Sequence, residues 1–259
     1  MPFHELWERE LEEKLWMGDK FTASKSYMEK FFSGCAYRGY LYKRWSLKEK
    51  YMSPALKFGI AVHEAISKQD LSPDTPLAVQ ERAERAINWL EKNGYEVLAT
   101  EVRHLAPIND NIQVFGIIDA IARGSKGEYV LIDWKTSRNL WTVTETEEGE
   151  RVYVGTRGWQ GPIYLTIPYE SDIISIGEWP TRMLYVVLAE TGGVEAYEYD
   201  KNSADTLALE RALELMRLAE QTDNFPKNIG TYTCGDCDFK YVCWKTMGWE
   251  RYYNKREIK

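Results

Sequence analysis

Two aspartates and a lysine stand where apolar sequence would otherwise continue. Asp119 interrupts the run IIDAIA, and Asp133 and Lys135 follow the apolar residues of YVLI in VLIDWKTS. Charges set at the end of such runs cost free energy unless they are paired or used. Residues two apart in a strand face the same side, so Asp133 and Lys135 address one site. An adjacent antiparallel strand brings Asp119 beside them. The chemistry that suits this group is metal-assisted phosphodiester hydrolysis. Two carboxylates supply hard oxygens for Mg2+ or Mn2+. The metal activates water and offsets charge on the phosphoryl oxygens. A lysine orients that water or stabilises the transition state. Taken alone, an Asp-x-Lys is more simply an ion pair at a strand end, so the rest of the chain has to decide.

Three further residues bear on that decision. His63 sits in GIAVHEAI, on an otherwise apolar helix, where it is either a core histidine or another metal ligand. Gln160 and Tyr164 are four apart and share a helix face, which can point at a phosphate or base or merely pack. The four cysteines are split between the chain's ends. Cys35 stands alone near the start, and Cys234, Cys237 and Cys243 form C-x2-C-x5-C near the finish. That placement suggests one shared inorganic centre. By spacing alone, structural zinc and an iron–sulfur cluster are equally served.

The elements that must position these groups can be read from periodicity and turn residues. Residues 3–16 have the pattern of an acidic amphipathic helix. Residues 24–50 read as helical, with breaks near Gly34 and Gly39. Ser53-Pro54 opens a helix, the serine as cap and the proline in the first turn. Residues 74–93 form another, stopped by Gly94. Val97–Ala106, Ile112–Arg123 and Glu128–Trp134 read as consecutive strands of a meander. Residues 139–158, with the acidic run ETEEGE, read as a loop. A helix over 160–167, a hairpin of 183–190 with 194–199 around Gly192-Gly193, and an amphipathic helix over 204–221 complete the chain. Helices, strands, helix, strands and helix indicate an α/β fold of mixed α+β character, a mixed sheet flanked by helices.

Composition sets the outer bounds. The 259 residues are 44% hydrophobic, enough for a substantial core. We expect one domain: a helical part over 1–57, a core over 58–222 and a cysteine-bearing tail over 223–259. No apolar run reaches the roughly 20 residues of a membrane span. The acid-rich first residues are unlike a signal or transit peptide, so the expected setting is cytoplasmic, without membrane association. There a cysteine cluster serves a metal more often than a disulfide. The net charge of -7 argues weakly against nucleic acid, but residues 24–57 hold eight Lys or Arg against two Glu, with five aromatics from Tyr37 to Tyr51 among them. Such a segment suits phosphates and unpaired bases, or else a solvated helix whose aromatics face a core.

In order along the chain stand G-x3-H (Gly59, His63), G-x2-D (Gly116, Asp119), D-x-K-T (Asp133, Lys135, Thr136) and Q-x3-Y (Gln160, Tyr164). Their joint order and spacing resemble the RecB-like branch of the PD-(D/E)XK nuclease superfamily, over roughly Cys35 to Cys243. The resemblance implies a restriction-endonuclease-like core. It also implies Mg2+ or Mn2+ on His63, Asp119, Asp133 and the Trp134 carbonyl, and Lys135 as the catalytic lysine. Gln160 and Tyr164 would hold the DNA strand. Glu101 resembles an acid often found on the preceding strand. One cysteine before the core and three after it resemble the iron–sulfur members, the CRISPR-associated adaptation nucleases and AddB-type subunits. That implies a [4Fe-4S] cluster on Cys35, Cys234, Cys237 and Cys243, joining the two ends. The expected activity is a metal-dependent exonuclease on single-stranded DNA or DNA ends, in CRISPR spacer acquisition, recombination and repair, or viral DNA metabolism. A CRISPR integrase is among the partners so implied, and oligomeric state is left open. The alternative is a DNA-binding or assembly subunit with a vestigial or subordinate site.

Overall fold

Helix starts in this chain are set by local chemistry. Ser53 has extended backbone (φ -62°, ψ 150°), and its hydroxyl accepts the Leu56 N–H at 3.1 Å while Pro54 occupies the first turn. Asn202 does the same for the last helix, its Oδ1 accepting the Asp205 N–H at 2.8 Å. In chain order the elements are β1 (Phe21–Ser24), α1 (Lys25–Phe32), α2 (Ala36–Arg44), α3 (Pro54–Lys68), α4 (Leu77–Lys92), β2 (Glu96–Pro107), β3 (Ile112–Arg123), β4 (Tyr129–Ser137), β5 (Val143–Glu145), β6 (Arg151–Tyr153), α5 (Gln160–Thr166), β7 (Arg182–Ala189), β8 (Val194–Asp200) and α6 (Ser203–Thr222). This is a computed structural model that describes residues 20–32, 35–44, 53–69, 71–145, 151–153, 158–166, 173–226 and 237. Its residues fall into two units, one of Met1–Lys25 with Ser53–Arg217, the other of Ser26–Met52 with Leu218–Lys259. No helix among the described residues is long and apolar enough to cross a membrane.

The first unit is built on a six-stranded mixed sheet. β2 pairs with β3 along nearly its whole length, antiparallel. The other edge of β3 is shared. β4 pairs antiparallel with Ala120–Arg123, and β1 pairs parallel with Ile112–Phe115. Between those stretches, residues 116–119 have no strand beside them on that edge among the described residues. β4 continues the sheet to β7 in parallel, and β7 turns back into β8.

Alternation along the strands sorts the two faces. On one, α3 and α4 press Val62, Ala65, Ile66, Val79, Ala83, Ala86 and Leu90 onto Ala120, Ala122, Val130, Ile132, Trp134, Leu184, Val186 and Leu188. The small alanines of β3 let the helices sit close. The opposite face carries Leu131, Met183, Tyr185 and Val187, all fully or nearly buried, beside Asp119, Asp133 and Lys135. β4 is apolar over Val130–Ile132 because it is covered on both sides. Shortening a large side chain in such a layer costs about 2–5 kcal/mol.

In the second unit, Tyr27 donates its hydroxyl to Glu220 Oε1 at 2.8 Å. Phe225 packs against Phe31 and Tyr40, at ring separations of 6.4 and 4.3 Å, and Tyr37 stacks on Tyr40 at 5.5 Å. Several aromatics of the basic segment are thus packing residues. Gly39 does not break a helix, as expected from its residue type, but lies inside α2. A methyl there would come 3.1 Å from the Tyr27 ring and 3.2 Å from the Phe31 backbone, so the glycine permits a close helix approach.

Other differences from the sequence reading have local causes. Residues 139–158 are not all loop: Val143–Glu145 and Arg151–Tyr153 pair as a short antiparallel ribbon. The polar, acidic composition of the ribbon hid its strands. β1 was not expected at all, being four residues long and dependent on β3 for pairing. α4 begins at Leu77, three residues later than expected, because Pro76 is extended (φ -54°, ψ 133°). The expected helix over 3–16 and the break at Gly34 lie outside the described residues.

Candidate active site at a fork between two strands

The site lies where, among the described residues, no strand sits beside residues 116–119. β3 and β4 are paired up to Ala120 and Ile132 and then part. Backbone groups left at such a fork must find other partners or pay the full cost of burial. Two side chains supply them. Asp119 Oδ2 accepts the Trp134 N–H at 2.8 Å. The Tyr164 hydroxyl accepts the Ile117 N–H at 3.1 Å and donates to the Ile117 carbonyl at 2.7 Å. The residues that open the fork therefore also stitch it.

Gly116 is required by this arrangement. A methyl at that position would sit 2.3 Å from Tyr164 Cε1 and 2.6 Å from its hydroxyl oxygen, so any side chain evicts the ring. Trp179 Nε1 donates to the Tyr164 carbonyl at 2.8 Å, and His104 lies stacked against Trp179 and edge-on to Tyr164, 5.7 Å from each. His104 and Trp179 were not flagged by the sequence, since a single aromatic in a strand or turn carries no local signal.

Within the fork the charged groups interlock. Asp133 is 2% exposed, and its side chain faces the Lys135 ammonium in an ion pair. Gln160 donates its amide to Asp133 Oδ1 and accepts Lys135 Nζ at 3.1 Å. Asp133 Oδ2 is buried and makes no aligned hydrogen bond despite the ammonium nearby. Lys135 also lies over the ring of Tyr185, 5.8 Å from its centre. His63 reaches in from α3, its Nδ1 3.3 Å from Asp119 Oδ2. Glu101, across β3 between the Thr100–Ala120 and Val102–Ile118 pairs, has a left-handed backbone (φ 52°).

Electrostatics follow from this crowding. Burial, reinforced by the charge of Asp133, pushes the Asp119 carboxyl well above the ordinary carboxylate range, against the opposing pull of Lys135 and the Trp134 N–H. Burial lowers the His63 pKa, with Asp133 partly countering, so the imidazole is neutral at neutral pH and keeps a lone pair. Burial and the Glu64 charge raise the Glu101 carboxyl. Tyr164 is raised well above its usual value, chiefly by burial, and stays a donor.

The expected site residues are placed as follows. Asp119, Asp133, Lys135, Gln160 and His63 meet at the fork, with the Trp134 backbone between them. Gln160 and Tyr164 are 7% and 3% exposed. Their polar atoms bond Asp133, Lys135 and Ile117, where the sequence reading had them holding a DNA strand. Gln160 thus bonds both charged groups, and Tyr164 the backbone of Ile117. Among the described residues, no three His, Cys, Asp or Glu side chains are grouped as a formed metal site. The reason is visible: the Asp133 oxygens are turned to Lys135 and Gln160, and Asp119 to the Trp134 N–H. The donor types nevertheless fit a hard divalent ion: two carboxylates, one with a buried oxygen in no aligned hydrogen bond, and a neutral imidazole. Cys35 and Cys237 are partly exposed, whereas Cys234 and Cys243 lie outside the described residues.

The fold is thus a mixed sheet with helices on its faces and an Asp…Asp-x-Lys cluster where two strands part. The sequence profile of the PD-(D/E)XK nuclease superfamily matches residues 24–244, and the chain belongs to that superfamily. No curated protein matches the sequence. Among solved structures, a candidate exonuclease from Eubacterium rectale superposes with a TM-score of 0.56 at 14% identity, over 93% of this chain and 92% of that one. SSO0001 gives 0.44 at 19% identity, covering 93% and 94%. LHK-Exo in complex with dAMP gives 0.41 at 10% identity, covering 88% and 94%. At these identities the first likeness speaks for the fold alone.

Proposed function

We propose that this chain is a metal-dependent deoxyribonuclease that removes nucleotides from single-stranded DNA or DNA ends. The observation that carries the reading is the pair of carboxylates at the fork, Asp133 buried against a lysine and Asp119 partly buried with its carboxyl raised by burial and then by Asp133. A second acid beside the first is disfavoured by like charge, and carboxylates so perturbed cluster at functional sites. Asp119, Asp133, the neutral His63 and the Trp134 carbonyl would hold Mg2+ or Mn2+. When bound, that ion would lower the pKa of a water and offset charge on the scissile phosphate. Lys135 presents its ammonium at the mouth of the fork, 29% exposed, where it can orient a water or neutralise a phosphoryl oxygen. Gln160 keeps Asp133 and Lys135 in register by bonding both. Tyr164 fixes β3 two residues from Asp119.

The exonuclease assignment draws support from the likeness to the candidate exonuclease of Eubacterium rectale, and the setting in spacer acquisition, repair or viral replication from the cysteine pattern. Digestion of 5′- and 3′-labelled single- and double-stranded DNA with Mn2+, with and without chelator, tests the activity. We expect stepwise, chelator-sensitive shortening. DNA binding without any metal-dependent cleavage would favour the DNA-binding subunit instead.

We further infer a [4Fe-4S] cluster on Cys35, Cys234, Cys237 and Cys243. Cys35 and Cys237 belong to the same unit although about two hundred residues separate them, which is what a shared centre requires. Anaerobically purified protein should be brown and carry about four iron and four sulfide per chain. Stoichiometric zinc in place of iron would overturn the assignment.

A further inference from the structure

After Lys135 the chain does not enter α5 directly. It crosses the tip of the β7–β8 hairpin, where Leu140 packs against Gly193 so closely that a methyl on the glycine would lie 3.1 Å from it. The next residue, Trp141, is pinned at three points. Its carbonyl accepts the Tyr197 hydroxyl at 3.1 Å, and its indole sits 5.2 Å from the Tyr197 ring and 5.6 Å from the Tyr185 ring. Tyr185 is the residue whose ring carries the Lys135 ammonium at 5.8 Å. The register of β4 and β7 sets Tyr185 beside Asp133, and that of β7 and β8 sets Tyr197 beside Tyr185. An unbroken row of aromatic faces thus runs from the catalytic lysine outward to Trp141.

The two tyrosines in this row are 2% and 1% exposed. Trp141 is only half-buried, though its backbone and two ring contacts hold it as firmly. The partly exposed indole lies two residues before the β5–β6 ribbon. A fixed indole partly open to solvent, one ring away from a phosphate-cleaving lysine, suits a task other than anchoring that ribbon. Bases offer their faces to aromatic side chains only when unstacked from their neighbours, and such stacking tolerates every base.

Building on the nuclease reading, we propose that Trp141 is a stacking platform for the unpaired nucleobase next to the scissile phosphate. The platform admits a strand whose cleaved step is single-stranded, and it makes a duplex unstack its end before cleavage. Tyr185 links the two functions, with its ring under Lys135 and tilted 48° against Trp141.

The test uses single-stranded oligonucleotides carrying one abasic residue at successive positions, digested with Mn2+ by the full-length wild type, Trp141→Leu and Trp141→Phe. For the wild type, kcat/KM should fall about 10-fold when the abasic residue flanks the cut and little elsewhere. Trp141→Leu should be slower by a similar factor on intact DNA and lose nothing more at the flanking abasic position. Trp141→Phe should keep most of the rate and the abasic sensitivity. If the tryptophan only supports the ribbon, Trp141→Leu slows every substrate equally and the abasic penalty persists, which overturns the platform. Should Trp141→Leu not fold, the wild-type scan decides, since rates independent of abasic position also overturn it. A wild type that cuts no oligonucleotide overturns the nuclease function itself, and that outcome is distinct because there is no baseline rate.

Discussion

Asp133→Asn should lower the rate of DNA cleavage by at least about 1,000-fold while moving the melting temperature by only a few degrees. The asymmetry with its partner makes this informative. Asp133 is 2% exposed and Lys135 29%, so the lysine freed by Asp133→Asn can turn to water. Lys135→Met does the reverse. It leaves a buried carboxylate whose remaining polar contact is the Gln160 amide. Removing one member of a buried pair costs about 3–5 kcal/mol, and the partial exposure of this lysine puts the loss nearer 2–3. Lys135→Met should therefore be both inactive and clearly destabilised at neutral pH. The double variant Asp133→Asn, Lys135→Met should recover most of that stability and none of the activity. Chemical denaturation with a gel assay of labelled DNA measures both. Cleavage within 10-fold of wild type by purified Asp133→Asn would place the chemistry elsewhere.

Asp119→Asn separates stability from function in the opposite direction. In the folded protein the Asp119 carboxyl titrates well above its ordinary value, because burial and Asp133 disfavour its charge. A group raised in the folded state contributes fully below its unfolded pKa, about 4, and that contribution is lost as pH rises through the folded value. At neutral pH the metal-free protein thus carries a destabilising ionised Asp119 or holds a proton there. Asparagine removes the charge and keeps an oxygen for the Trp134 N–H. Asp119→Asn should melt about 5 °C above the metal-free wild type at pH 8, with the gap closing towards pH 4. It should lose cleavage by about 1,000-fold or more. Millimolar Mg2+ or Mn2+ should raise the melting temperature of the wild type and leave that of Asp119→Asn unmoved. Equal stabilisation of both proteins by the ion would remove Asp119 from the set of residues that hold it.

Much of the site is legible along the chain because its residues break a pattern. Asp119, Asp133 and Lys135 stand out against apolar strands, and His63 against an apolar helix. What they touch is a different matter. Gln160 and Tyr164 share a helix face, as their spacing requires, but whether that face meets a substrate or the sheet depends on where α5 docks. It docks over the fork, and both residues are consumed inside. Tyr185 sits in an apolar strand and Trp141 in a polar segment. Neither is distinguishable by pattern from a core residue or a loop residue, and only the pairing of β4, β7 and β8 brings them to Lys135. The β5–β6 ribbon and β1 went unread for a related reason: short strands owe their existence to a partner rather than to their own composition.

The order of elements, the face on which Asp133 and Lys135 lie and the apolar character of the central strands are consequences of periodicities of two and 3.6, and those are properties of the linear chain. The site itself is not. It exists because β3 pairs with β4 for four residues and with β1 for four others, leaving a gap that Asp119 and Tyr164 fill. Register of that kind is decided by packing between segments distant in sequence, where each pairing is strong only once the others are in place. The linear chain therefore specified which groups could do chemistry, and the tertiary pairing decided which were brought together to do it.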